Sequence, residues 1–540
     1  MSRKQVLCEG LLWVMVLVAV VGSFALAFIG YQGWLLDDWH YIKGAEGWLD
    51  QVPYLGSTHW ELRHPIVVPM AIALSLVGTR EAAVVGVAGL YYLLLAGVTF
   101  AATKVLMGKT AGFLATLLVV TAPLIASFGT NPRPTIAELF FEASALLALL
   151  LAQRRPQHAL GWMAAAGVML GLAFVTRETA AGLVGFFGLI WLLGWPLRRW
   201  VTSVALVLFA CVCLAEMAVY QVYQDDPFYR LKISFSSPDI TNSGGDTAVA
   251  EALVQEDLLS KVLDHFDFDK IANAAPVSNL VHVNNWLDPY VLIFVEPYYG
   301  LVFTLGLPAL LFLSLGPRSP ATRTTARLLL LVMAVWFVIG NCLLFLRPLP
   351  RYYALPVFVA ALGLGFFIQW GLTVARVRVV ETWGARIGVG LLVLVMVGSN
   401  VIFMDARSGM GLYAERRLID YAASREEVIQ TDPTTRAMAD FLLRAEGLAD
   451  RVVAADPPSP GQLYFYDPTK AGFFVAEDWN AHFVPKADWQ QVWSHRSEKK
   501  LLARLIDGLG AKDYVPTGIY RRLAEPHPPV AIYRLPPEEG

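Results

Sequence analysis

The chain has 540 residues, of which 56% are hydrophobic and only 16% charged. Soluble domains carry about 25% charged residues, so this composition excludes an ordinary soluble globular protein. The formal net charge of −2 averages over segregated charges and marks no partner, and nothing in the chain suggests nucleic acid. Of the four cysteines, Cys8 lies near the N-terminus, and Cys211, Cys213 and Cys342 fall within apolar spans. They offer no disulfide framework and read as packing residues.

The apolar residues come in blocks of about twenty, the length an α-helix needs to cross about 30 Å of hydrocarbon. Taken in chain order, the expected spans are 11–32, 81–103, 110–128, 135–152, 159–176, 179–195, 200–222, 289–315, 326–346, 352–374 and 385–405. The first has no small-residue cleavage site behind it and reads as a retained anchor. Directly after it comes GWLLDDWHYI, Gly33 to Ile42, with Asp37 and Asp38 among Trp34, Trp39 and Tyr41. The segment 65–79, PIVVPMAIALSLVGT, is apolar but short and carries two prolines. Eleven crossings with the N-terminus inside put the basic connectors on the cytoplasmic side. These carry Lys104 and Lys109, Arg154 and Arg155, Arg198 and Arg199, Arg318, Arg323 and Arg327, and Arg376, Arg378 and Arg386. A twelfth crossing at 65–79 would turn all of them outward, so this segment is expected to lie at the outer surface.

Three pieces are then external: a first loop, 33–80, a long polar loop, 223–288, and a tail, 406–540. The tail alternates strand-like and helical pattern, as in EEVIQTDPTTRAMADFLLRAEGLADRVVAADPP, and predicts a small α/β domain. The expected fold is thus a polytopic α-helical membrane protein with about eleven transmembrane helices, 1–405, followed by a soluble α/β domain on the outer side.

If the outer face is the working face, the informative residues are the polar ones at the outer ends of the spans. They are Asp37, Asp38, His40, His59, Glu61, Arg63 and His64 in the first loop, then Asn131, Arg133 and Glu138 around the next outer turn. Arg177 and Glu178 follow in TRET, Glu296 in VEPYYG, and Arg347 and Arg351 in LRPLPRYYALP. Arginines at helix ends commonly anchor to headgroups, and adjacent Arg177 and Glu178 suit a local ion pair. Glu138 and Glu296 are less ordinary, because an ionisable group inside a membrane is expensive. The histidines show neither HxxxH nor HExxH spacing. Together, carboxylates and arginines on one side of a membrane suit a reaction between an anionic lipid headgroup and a neutral nucleophile. Arginine's fork binds phosphate at two points, and a carboxylate can take the proton of an attacking hydroxyl.

The residues resemble the polytopic GT-C glycosyltransferases, especially the family 39 group of protein O-mannosyltransferases and the lipid A aminoarabinose transferase. The likeness rests on Asp37-Asp38 with Tyr41 and Ala45 after the first span, Glu138 after a short outer turn, Arg177 after the fifth span, and Arg351-Tyr352-Tyr353-Ala354-Leu355-Pro356 late in the chain. It implies a GT-C fold in a bacterial inner membrane with a periplasmic C-terminal domain. It also implies a polyprenyl-phosphate monosaccharide donor attacked with inversion, and a periplasmic acceptor. Asp37 is then the expected general base, and Asp38 orients the acceptor or the loop. Arg177, Arg347 and Arg351 hold the lipid phosphate. Tyr41, Arg63, His64, Arg133, Glu138, Glu296, Tyr298 and Tyr352 line the substrate site, with Trp39, Trp60, Tyr298 and Tyr352 as stacking candidates. Members of the group divide over a divalent ion, so a metal stays open. The second acidic position is commonly Glu and is Asp38 here. LRHPI, Leu62 to Ile66, stands where the aminoarabinose enzymes carry a lysine-proline-proline segment. The acceptor is therefore open among protein, lipid A and envelope glycan. The competing reading is a transporter or lipid flippase, for which broken mid-membrane helices and symmetric halves would speak. The sequence displays neither.

Overall fold

The computed structural model describes residues 3–33, 37–236, 300–315, 319–339, 350–377, 382–409, 411–455, 457–469, 484–515 and 517–537. Helix α1, Arg3–Leu26, is followed by α2, Asp38–Asp50, and α3, His64–Val77. Then come α4, Glu81–Met107, α5, Lys109–Thr121, α6, Pro123–Gly129, α7, Pro134–Arg154, α8, Ala159–Thr176, α9, Ala181–Leu193, and α10, Arg199–Gln224. A short α11, Tyr229–Ser236, precedes α12, Gly300–Leu315, α13, Pro320–Val338, α14, Ala354–Val377, and α15, Thr382–Arg407.

Among the described residues seven helices are long and apolar enough to cross a membrane, and α5 with α6 makes an eighth. Three further expected spans are shorter apolar helices, Glu178–Leu193, Leu301–Leu315 and Gly390–Ala406. The chain is a multi-pass membrane protein whose backbone polar groups are satisfied inside each helix, as hydrocarbon requires. The span expected at 110–128 is bent by 71° between α5 and α6. Pro123, which has no N–H to give to the preceding turn, starts the second piece.

Helix α7 is the centre of the bundle, with 94% of its apolar window buried, against 17% for α1 and for α10. It packs on α8 and α4, and α8 packs on α10. The last contact is close because α8 offers Gly167 and Gly171 to it. A Cβ on Gly167 would stand 2.3 Å from the Ala205 carbonyl oxygen, and one on Gly171 would stand 2.5 Å from Val212 Cβ. This is the small-xxx-small packing of helices in lipid, where close backbone approach replaces a hydrophobic driving force.

Which helix ends lie together is fixed by polar contacts. The Tyr31 N–H, just past α1, donates to Glu81 Oε1 at 2.8 Å, at the start of α4. The chain therefore leaves and re-enters the bundle at one end between residues 31 and 81, and α3 does not cross it. At the opposite end Lys109 lies 2.9 Å from Glu9, which Lys104 also holds. Gly30 N–H donates to Thr130 and Gly409 N–H to Phe28, so the α6–α7 turn and the end of α15 join the Tyr31 end.

Beyond α15, helix α16, Tyr413–Ala423, leads into a sheet of five strands: β1, Ile429–Thr431, β2, Val452–Ala454, β3, Leu463–Tyr466, β4, Gln490–His495, and β5, Val530–Arg534. The order is β2-β1-β3-β5-β4, with β1 parallel to β2 and β3, and β5 antiparallel to β3 and β4. Helix α17, Pro433–Ala445, supplies the crossover from β1 to β2. Asp432 caps it by accepting from the Thr435 N–H at 2.8 Å. The small helices α18, Leu501–Gly508, and α19, Thr517–Ala524, complete the C-terminal fold. It docks on the Tyr31 end of the bundle: Arg416 holds Glu81 at 2.8 Å, Arg444 holds Glu46 at 2.8 Å, and Phe441 packs 5.1 Å from Tyr31. A reporter inserted after Arg155 is therefore expected on the opposite side of the membrane from one fused to the C-terminus. The same side for both would contradict this arrangement.

Candidate functional site

The site forms where the Tyr31 end of the bundle collects the start of α2, the 130–133 turn, the first turns of α7, the 177–180 turn and the start of α14. Asp37 stands at the head of α2 with φ of 74°, a left-handed conformation that Asp tolerates better than most residues. The turn sends the two neighbouring aspartates in different directions.

Asp38 is fully buried. Its Oδ1 accepts from Arg133 Nε at 2.9 Å and its Oδ2 from the Gln32 N–H at 2.8 Å, while Arg133 Nη2 donates to Gln32 Oε1 at 2.7 Å. Burial pushes its carboxyl up to about 6 although Arg133 opposes the rise. Both oxygens are thus occupied in tying the first loop to the turn before α7. Asp38, expected beside Asp37 as the carboxylate that orients the acceptor or the loop, is tied to the loop in this way, and Arg133, expected to contact substrate, is its counter-charge.

Asp37 faces the other way. Its Oδ2 accepts from Arg351 Nη1 at 3.2 Å, and the two side chains keep 24% and 33% of their surface exposed. Behind this pair, Arg177 is buried with Nη1 3.3 Å from Glu138 Oε2, and its guanidinium lies 4.8 Å over the Tyr352 ring. Thr179 Oγ1 donates to the other Glu138 oxygen. Arg351 lies 5.4 Å from the same ring, so Tyr352 carries both arginines. A narrow cleft has Thr135, Glu138, Glu142, Trp336, Arg351 and Tyr352 in its wall.

The remaining expected residues support the loop. Arg63 Nη1 donates to the buried Tyr41 hydroxyl at 2.5 Å, and burial pushes that hydroxyl up to about 12. His64 Nε2 pairs with the Tyr220 hydroxyl at 3.0 Å. Trp60 packs against the His40 and His59 rings, at 4.4 and 3.8 Å, instead of presenting a free face. Burial lowers His59 to about 3, so its ring is neutral. Glu61 is fully buried and staples the loop through the Tyr54 hydroxyl and the Ser57 N–H. Arg347, Glu296 and Tyr298 lie outside the described residues. Glu142, Thr179 and Trp336 were not among the expected site residues. Glu142 carried a usable signal, since it stands four residues after Glu138 in an otherwise apolar helix. Among the described residues no group of three His, Cys, Asp or Glu side chains converges as a metal ligand set.

Residues 63–223 match the family model of dolichyl-phosphate-mannose-protein mannosyltransferases. The resemblance to O-mannosyltransferases is borne out over that stretch, which includes Arg63, Arg133, Glu138 and Arg177. The chain is similar to solved structures of ArnT from Cupriavidus metallidurans. For the apo state the identity is 15%, with 86% of this chain and 94% of that chain covered and a TM-score of 0.47. For the form bound to undecaprenyl phosphate the identity is 15%, the coverage 85% and 94%, and the TM-score 0.49. It is also similar to the archaeal oligosaccharyltransferase AglB from Archaeoglobus fulgidus in complex with an inhibitory peptide and a dolichol-phosphate. There the identity is 13%, the coverage 96% and 88%, and the TM-score 0.49. None of the curated proteins compared with it matches the chain.

The Asp38 carboxyl stands at about 6 in the fold against its ordinary 3.8. Folding therefore takes up a proton between those values, and the stability this group contributes is full below about 4 and lost as pH rises through about 6. Asp38→Asn is expected to flatten the dependence of Tm on pH over that window in detergent-purified protein. Equal slopes in variant and wild type would contradict the assignment.

Proposed function

We propose that the chain is an inverting glycosyltransferase that moves one monosaccharide from a polyprenyl-phosphate donor to a hydroxyl-bearing acceptor. The observation that carries this reading is the Asp37–Arg351 contact, a carboxylate and a guanidinium 3.2 Å apart, each a quarter to a third exposed, with Arg351 in the wall of a cleft. The family description matched by residues 63–223 supports a lipid-phosphate sugar as the donor class.

In this reading the donor phosphate enters beside Arg351 and Arg177, and the lipid tail runs out between helices. Asp37 takes the proton of the acceptor hydroxyl as its oxygen bonds to the anomeric carbon. The bond from that carbon to the phosphate oxygen breaks, and the lipid phosphate leaves with the electron pair. Fixed positive charge stabilises the leaving oxygen as its charge grows, without reorganisation at the moment of reaction. A phosphate leaves as a stable anion, so one base suffices and no strong general acid is required. Glu138 is held by Arg177 and Thr179 and serves to orient Arg177. Domain limits of 1–405 for the membrane catalytic part and 406–540 for the soluble part accompany this reading. The basic connectors at 104–109, 154–155 and 198–199 lie at the far end of the bundle, and the positive-inside bias makes the Asp37 face periplasmic in a bacterial inner membrane.

The bent α5–α6 pair is a feature that transporters also use. Here the bend lies close to the Thr130 turn, at the Asp37 end of the bundle, and among the described residues no second bent pair mirrors it.

Asp37→Asn is expected to lower transfer by roughly 10²–10⁴ without weakening the binding of polyprenyl phosphate. Arg351→Ala is expected to weaken that binding about 10- to 100-fold, the loss of a charge-assisted hydrogen bond of ~1.5–3 kcal/mol, with Arg351→Lys in between. Normal turnover by Asp37→Asn in purified protein would remove the base from this account.

A further inference from the structure

Glu142 is the carboxylate that the chemistry above leaves unused. It stands one turn along α7 from Glu138, is 4% exposed, and lines the same cleft. Glu138 has Arg177 and Thr179 as partners. Glu142 has no hydrogen bond or ion pair among the described residues. A carboxyl buried in the central helix of a membrane bundle is expensive without a partner, and a second one four residues away on the same face adds repulsion if both are charged. Among the described residues no hydrogen-bond donor reaches it, and only the Arg177 charge that Glu138 already holds lies near. A ligand group in the cleft that Glu142 lines together with Trp336, Tyr352 and Arg351 would answer that expense.

Resting on the donor reading above, we propose that Glu142 is a specificity-determining residue for the transferred sugar. It accepts a hydrogen bond from an O–H or N–H group on the ring, at the end of the cleft away from the phosphate. Aromatic walls with one deep polar acceptor hold an amphipathic ring in one orientation, so the anomeric carbon is presented toward Asp37. A hydroxyl and an ammonium offer the same donor chemistry, and they differ in what a charge-removing substitution does to them.

The test uses the full-length protein in lipid nanodiscs and four probes: decaprenyl phosphate, and decaprenyl phosphate carrying mannose, arabinose or 4-amino-4-deoxyarabinose. The readout is the ratio of each sugar lipid's affinity to that of the bare lipid phosphate. Wild type is expected to bind at least one sugar lipid more tightly than the bare phosphate. Glu142→Ala should reduce that gain about tenfold or more while leaving the bare-phosphate affinity unchanged. Glu142→Gln, which keeps size and an acceptor oxygen, should retain part of the gain if the donor group is a hydroxyl and lose nearly all of it if the group is an ammonium. Gains that are equal in wild type and both variants overturn the proposal, as does the absence of any gain in wild type. Failure of the donor reading itself looks different: bare decaprenyl phosphate would then bind Arg351→Ala as well as wild type.

Discussion

A charge withdrawn from water must find a partner, and that constraint organises one end of this bundle. Asp38 is locked to Arg133, Glu138 to Arg177, and Glu178 to Arg230, whose guanidinium also lies 2.9 Å from Glu216. In each pair at least one side chain is under 10% exposed. Breaking such a pair leaves an uncompensated buried charge, which costs about 3–5 kcal/mol, so these residues hold the fold, and Arg177 offers its charge from a fixed position. The Asp37–Arg351 pair differs, because both of its side chains remain a quarter to a third exposed. Pairs of that kind contribute little to stability, and a ligand anion can take Arg351 from Asp37 without unpicking the fold.

The framework explains how distant segments reach one site. Glu81 accepts from the Tyr31 N–H and from Arg416, so a single carboxylate joins the end of α1, the start of α4 and the C-terminal domain. With both ends of residues 31–81 fixed at one face, the first loop folds over the bundle and delivers Asp37 to Arg351, 314 residues later in the chain. The Arg230 network ties α11 to the 177–180 turn in the same manner, since Glu178 is the neighbour of Arg177 and also accepts from Ser234.

Much of this was legible before the structure. Blocks of apolar residues gave the helices, and the charge of the connectors argued against a crossing at 65–79. The carboxylates and arginines at the outer helix ends marked the end of the bundle where Asp37 meets Arg351. What residue type could not separate was framework from exposed pair. Asp37 and Asp38 are identical in kind and adjacent, and only the left-handed turn at Asp37 divides them. Arg133 read as a substrate contact because its partner is 95 residues away. Trp60 read as a free stacking face because the His40 and His59 rings that cover it cannot be placed from sequence. Glu142 passed unnoticed within an apolar run, although a carboxylate there is costly enough to have been a signal. The bend at Pro123 was likewise written in the chain, within a segment read as one span.

The central claim is that Asp37 and a lipid phosphate compete for Arg351, and a double-mutant cycle on decaprenyl phosphate affinity tests it directly. The four proteins are wild type, Asp37→Asn, Arg351→Ala and the double variant, all in nanodiscs at one salt concentration. The account predicts that Asp37→Asn binds the lipid phosphate more tightly than wild type, and that this gain disappears when Arg351 is already Ala. Asp37→Asn binding no more tightly than wild type, or a gain of equal size in both backgrounds, would contradict it.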